Sequence, residues 1–282
     1  MGNEVMNVKD AHAYLIEAVA VSNLESFMVF GGEPMFYSAR AIAIFKKAHQ
    51  LGIPSIDMLT NGVWGKDKKK AETLAKKLKA AGLNKMGISV DAFHLQYIPL
   101  EYPRNAAQAS LKAGIKQVTW NVAVIESIDA TNQYDKKTGR ILKRLEPVGI
   151  EAHIHRVVPV GRALQTIPEY FQPSPLDGPC EGEQPIGNTL TNPDSLCIEP
   201  SGSVNICWHL TIGNARKTPL KRIMSEYDWR KNSIIKTLVK EGPLGLLQRS
   251  EKHPSRLRKG QYINKCHLCI EIRKTLHAPS FH

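Results

Sequence analysis

No cysteine occurs in the first 179 residues of this 282-residue chain, and all five lie between Cys180 and Cys269. An odd number of thiols gathered in one stretch argues against a disulfide framework and towards metal or cluster ligation. The chain also has no apolar run of the roughly 18 residues that a membrane-spanning helix needs. Its opening, MGNEVMNVKD, contains no basic-then-apolar leader. A cytoplasmic protein with no membrane contact is the expectation.

Acid is scarce towards the C-terminus. Thr211–Leu276 contains 16 Lys and Arg against 5 Asp and Glu, so most of the net charge of +12 sits there. A basic segment of this kind attracts nucleic acid or another acidic partner. Without a nucleic-acid motif, a solvated basic surface is the simpler reading, and no nucleic-acid partner is expected.

What is present is a repeating pattern. Phe27–Phe30, a short apolar run ending in Gly31-Gly32-Glu33-Pro34, predicts a fully buried parallel strand with a tight polar exit. Four more strands are predicted over Ser55–Leu59, Met86–Val90, Gln117–Ile125 and Glu151–Val160. Helical periodicity separates them over Asp10–Val21, Ala39–Leu51, Lys68–Ala81, Asn105–Ala113 and Lys136–Val148, and several of these helices run into glycine. Strand and helix in alternation predict right-handed βαβ units. The fold class expected is α/β, a partial parallel (β/α) barrel over 1–165 with five strands, followed by a small Cys-rich, basic region over 166–282.

The strand exits are polar: Glu33, Asn61, Ser89 with Asp91, and the Pro159–Arg162 turn. Parallel strands bring such ends to one rim, where ligands bind. Alternation within Gln117–Ile125 puts Thr119, Asn121 and Ala123 on one face and Trp120, Val122 and Val124 on the other. Further on, a polar, Pro- and Gly-rich excursion spans Gln172–Asp194. Then Cys197 and Cys207 flank Gly202 as in a short hairpin, and Cys266 and Cys269 form a C-x-x-C pair opening a helix. Two such pairs brought together make a four-thiolate site for zinc or an iron–sulfur cluster, which spacing alone does not separate. Cys180 either replaces one ligand or stays free. His209, His267 and His277 lie nearby in sequence.

FMVFGGEP, LTNG, ISVDAFH and HRVVPVGRA, each ending a successive strand, together resemble the radical S-adenosylmethionine (SAM) enzymes. The C-x9-C with its central glycine, followed by C-x-x-C, resembles their auxiliary-cluster region, called SPASM or, in its shorter form, twitch. The resemblance implies that Gly31, Gly32 and Glu33 hold the amino group of SAM. It also implies that Asn61, Ser89 and Asp91 line the SAM site, that Val158 and Pro159 flank its adenine, and that Cys197, Cys207, Cys266 and Cys269 ligate an auxiliary 4Fe–4S cluster. In that family a reduced cluster cleaves SAM to a radical that abstracts hydrogen from substrate. Implied partners are a reductant such as flavodoxin or ferredoxin and a substrate that is often a peptide or protein. The family's C-x3-C-x2-C loop has no counterpart here, so the sequence reads as a fragment whose SAM-cleaving cluster ligands lie upstream. The competing reading is a non-catalytic protein whose zinc-stabilised basic region contacts nucleic acid.

Overall fold

The structure is a computed structural model that describes residues 4–180, 189–207, 210–249 and 261–276. Part of the Gln172–Asp194 excursion, together with His209 and His277, lies outside the described residues. The chain divides into two compact units, Asn7–Val157 and a second made of Met1–Met6 with Val158–His282.

The first unit alternates strand and helix as its sequence periodicity predicts. Its strands are β1 (Ser26–Val29), β2 (Ser55–Thr60), β3 (Lys85–Ser89), β4 (Gln117–Val124) and β5 (Ala152–Arg156). Its helices are α1 (Val8–Val21), α2 (Ser38–Gln50), α3 (Lys68–Ala80), α4 (Glu101–Lys112) and α5 (Gln133–Leu145). The strands form one sheet in the order β1-β2-β3-β4-β5, and every pairing is parallel.

Helix starts are set by side-chain caps. Asn7 Oδ1 accepts from Lys9 N at 2.8 Å, Asp67 Oδ1 from Lys70 N at 3.0 Å and Asn132 Oδ1 from Asp135 N at 2.9 Å. The C-termini of α2, α3 and α4 share one closure: a glycine turns the chain, and the apolar residue after it donates back into the last turn. These bonds run from Ile53 N to Ala48 O, Leu83 N to Leu78 O and Ile115 N to Ser110 O. Gly82 shows why that position stays small: its φ is +99°, and an added Cβ would lie 2.5 Å from Cβ of His49.

One sheet face is the core. Ile56, Met58, Met86, Ile88, Trp120, Val122 and Val124 are essentially buried. Ala71, Ala75 and Ala109 pack α3 against α4 at close range, which small side chains permit. The opposite face is only half-buried along β2 and β4. The sequence expectation of a fully buried first strand is wrong. β1 sits at the margin of the sheet, with Met28 and Phe30 about half exposed. An apolar run cannot by itself distinguish an inner strand from a marginal one, because both carry the same residues.

The second unit contains a three-stranded antiparallel sheet, β6 (Cys197–Ile198), β7 (Ser203–Asn205) and β8 (Thr211–Asn214). Among the described residues its α-helices are α6 (Arg162–Thr166), α7 (Leu220–Ser225), α8 (Ser233–Arg249) and α9 (Lys265–Leu276). Ile206, Ile235, Leu238, Leu268 and Ile272 form its core. α8 is kinked at Gly242, where φ is 71° and ψ −168°. No helix among the described residues is long and apolar enough to cross a membrane.

Candidate functional site

At the exits of β1, β3 and β4, buried carboxylates accept hydrogen bonds from the backbone around them. Glu33 is 8% exposed. Its Oε1 accepts from Met35 N at 3.0 Å and Thr60 Oγ1 at 2.8 Å, and its Oε2 accepts from Asn61 N at 2.7 Å. The glutamate thereby ties the end of β1 to the end of β2. Asn61 in turn uses Oδ1 to accept from Val63 N at 2.9 Å. Gly31 and Gly32 stand beside Glu33 at φ +93° and +56°, with nothing within 4 Å of where a Cβ would be. The space over this turn is open to a bound group.

Asp91 is completely buried. Its carboxylate accepts from Phe93 N at 2.9 Å, His94 N at 3.0 Å and Ala123 N at 3.1 Å, and His94 Nδ1 lies 2.9 Å from both oxygens. Burial opposes ionisation of Asp91, but the His94 ring and the backbone N–H groups outweigh it, so its carboxyl sits below the usual range. The carboxylate itself presents no surface to solvent. What faces outward is His94, whose side chain is 39% exposed. Asp135 plays the same part after β4, accepting from Ile125 N at 2.8 Å, Glu126 N at 2.9 Å and Asn132 Nδ2 at 2.7 Å. Sequence reasoning missed this residue, because an acid in the first turn of a helix gives no sign that it folds back onto the preceding strand.

The half-buried sheet face is polar. Ser89, Asn121 and His153 lie side by side across β3, β4 and β5, and His155 stands beside Ala123 one row further along. The rings of His153 and His155 stack with centroids 6.1 Å apart. Burial, followed by the neighbouring His153, holds the His155 imidazole below its ordinary value. Both histidines were missed from the sequence, yet the spacing His-x-His on a strand was the available signal, since alternate residues share a face. Ser89 is buried, and Asn121 lies on the face that alternation predicted. Val158 and Pro159 begin the second unit and are not part of the compact unit that holds the other rim residues. A wider cavity of about 400 Å³ opens among Val19–Leu24 and Leu51–Pro54. It has no titratable lining residue and lies away from the strand exits.

In the second unit a small cavity of about 20 Å³ is lined by Cys180, Cys207, Cys266, Cys269 and Arg273, among others. The structure therefore gathers three of the four cysteines that the sequence pairs suggested, and takes Cys180 rather than Cys197 as the fourth. Cys197 begins β6, paired with Asn205, and its thiol is pushed up by burial and then by Glu199. Cys180 is delivered by a bond from its own N–H to Leu238 O at 2.8 Å. Just before it, Gly178 O occupies the place where a side chain at Gly242 would be, 2.0 Å from that ideal Cβ. Burial pushes the Cys207 thiol up to about 12, with Arg273 the first group opposing it. Burial likewise raises Cys269, whose Sγ accepts from Arg273 Nε at 3.3 Å. As they stand, no three His, Cys, Asp or Glu side chains among the described residues are close enough to hold a metal ion. The donor set fits a thiophilic metal, and the thiols must draw together around one ion or part to admit a cluster.

No family model matches the chain, and no curated protein matches it. Among solved structures it resembles 2,3-dimethylmalate lyase, a PEP mutase/isocitrate lyase superfamily member, at 9% identity and a TM-score of 0.37, covering 54% of this chain and 55% of that one. It also resembles dihydrodipicolinate synthase from Agrobacterium tumefaciens str. C58 at 16% identity and a TM-score of 0.36, covering 57% of this chain and 54% of that one. The chain thus spans about half the length of each.

Proposed function

We propose that the chain is the SAM-binding and auxiliary-cluster portion of a radical SAM-type enzyme. The observation that carries this reading is the four-cysteine pocket, Cys180, Cys207, Cys266 and Cys269, following a five-stranded parallel sheet in the same chain. In support, the motif residues Glu33, Asn61, Ser89 and Asp91 fall at or just beyond the C-terminal ends of successive strands, where parallel sheets bind ligands.

When bound, the cofactors supply one-electron reduction and hydrogen-atom abstraction; the protein contributes binding and orientation. The Gly31-Gly32 turn offers open space beside Glu33, and Glu33 Oε2 keeps acceptor capacity beyond its bond from Asn61. That combination suits the ammonium of an amino acid moiety. On this reading Asn61 and Ser89 line the site, and Asp91 acts through His94. A peptide or protein substrate and a flavodoxin- or ferredoxin-like reductant belong to the same proposal. No cysteine precedes Cys180, so this chain does not by itself ligate the cluster that cleaves SAM, and it forms no 5′-deoxyadenosine alone.

The cavity of about 20 Å³, room for roughly one water-sized atom, favours a second reading in which a single zinc ion joins the four thiols and the unit is structural. Anaerobic reconstitution with iron and sulfide, followed by metal analysis, separates the two. About four iron and four sulfide per chain is the expected result. Stoichiometric zinc with no sulfide retained would overturn it.

A further inference from the structure

We propose that His94 is the proton-accepting side chain of the strand-exit rim, held by Asp91 so that Nε2 meets a weakly acidic O–H or S–H group of a bound substrate. This rests on the reading of the strand exits as a ligand rim and adds the chemistry done there; it does not depend on the cysteine pocket. The Asp91 carboxyl is held in its ionised form, and a carboxylate only accepts. With Nδ1 2.9 Å from both its oxygens, the ring hydrogen therefore sits on Nδ1. The lone pair is left on Nε2, to which no described residue bonds.

The ring is not there to satisfy the acid. The N–H groups of Phe93, His94 and Ala123 already bond to Asp91. Asp135 plays the same structural part after β4 with backbone N–H groups and Asn132, and with no imidazole. What Asp91 gives His94 is aim and charge balance. His94 opens a short 3-10 turn, His94–Gln96, whose Leu95 N donates to Asp91 O at 3.0 Å. The ring of Phe93, just before it, stacks on Tyr134 at 5.0 Å. A bound O–H or S–H would give its proton to Nε2 and keep the bonding pair, leaving an imidazolium against a carboxylate. The His94 side chain is 39% exposed, so water carries that proton away. His155 stands next to the dyad, because its register partner Ala123 is the residue whose N–H bonds to Asp91. Burial and then His153 hold the His155 imidazole below its ordinary value, which makes it a neutral neighbour for a charged His94.

The test uses p-nitrophenyl acetate as the probe, with the full chain near neutral pH. Nε2 attacks the ester carbonyl, p-nitrophenolate leaves with the bonding pair, and water hydrolyses the acetyl-imidazole to acetate, protons and free His94. Thiols and lysines are acylated once each, so the steady rate after that burst reads turnover at histidine. His94→Gln keeps a donor for Asp91 but has no basic nitrogen. It should lower the steady rate by about 10²-fold or more, the lower end of what a positioned acid–base group contributes. Asp91→Asn, whose amide N–H₂ turns the ring to the other tautomer, should lower it too although His94 remains. Parental turnover in either variant, with circular dichroism unchanged, overturns the proposal. If His94→Gln does not fold, diethyl pyrocarbonate labelling of the parent makes the same distinction. Turnover should then fall in step with label on His94; a fall in step with label on the exposed His49 overturns it. Neither result depends on what the cysteine pocket binds, so this proposal and the cluster reading fail separately.

Discussion

The imidazole of His94 hangs on the carboxylate of Asp91, with Nδ1 2.9 Å from each oxygen. The acid is wholly buried while the ring reaches solvent, so a buried charge fixes the orientation of an exposed, titratable group. Asp91→Ala removes the acceptor for the N–H groups of Phe93, His94 and Ala123. It should destabilise the first unit by about 1–3 kcal/mol for each buried donor left without a partner, as read by urea denaturation.

The same pair sets an acid dependence. The folded Asp91 carboxyl lies below its usual value, so the unfolded chain takes up a proton first as pH falls. The contribution is full above the unfolded value of about 3.9 and is lost as pH drops through the folded one. Denaturation curves at pH 7 and pH 3 should show a smaller acid loss in Asp91→Asn than in the parent. An equal loss in both would remove Asp91 as the cause.

Cys180→Ser and Cys197→Ser separate the two candidate ligand sets. The first should reduce bound metal and expose the C-terminal unit to protease, since metal ligation contributes folding energy. The second should do neither. If Cys197→Ser loses metal and Cys180→Ser does not, the hairpin pair of the sequence reading is right and the pocket is not the site.

Gly242→Ala should act like a ligand mutation without touching a ligand. Its φ of +71° disfavours a side chain, and the new Cβ would overlap Gly178 O. Relief requires the 178–180 segment to move, and Cys180 moves with it. Weaker Co²⁺ uptake with helical content unchanged is the expected outcome, by titration and circular dichroism.

Met28 and Phe30 are half exposed on the marginal strand β1, a template for unwanted strand pairing. Met28→Lys should raise the soluble fraction on expression. No gain would mean that this margin is not where the chain aggregates.

The strands and helices of the first unit were legible because each carries a strong period and a glycine or polar stop. Thr119, Asn121 and Ala123 share the half-buried face of β4 as alternation requires. The exposure of Met28 and Phe30 on β1 was not legible, because the run Phe27–Phe30 would look the same fully buried in the middle of a sheet. Glu33 and Asp91 were legible as polar exits, but not as acceptors already engaged by backbone N–H groups; that depends on loop geometry after the exit. The choice of Cys180 over Cys197 was hidden for another reason. Local spacing favours the hairpin pair, whereas the thiol that reaches the pocket is brought there by a backbone bond to Leu238.

The pocket's four thiols come from three separate stretches of chain, and this imposes an order on their manufacture. A ribosome adding about 5–20 residues per second makes Cys180 and Cys207 on the order of several seconds before α9 exists. Until α9 arrives, those two sulfurs have no companions and no guanidinium beside them. If the pocket takes a metal, its delivery is a late event, and the nascent chain passes through an interval in which its earliest thiols are open to oxidation.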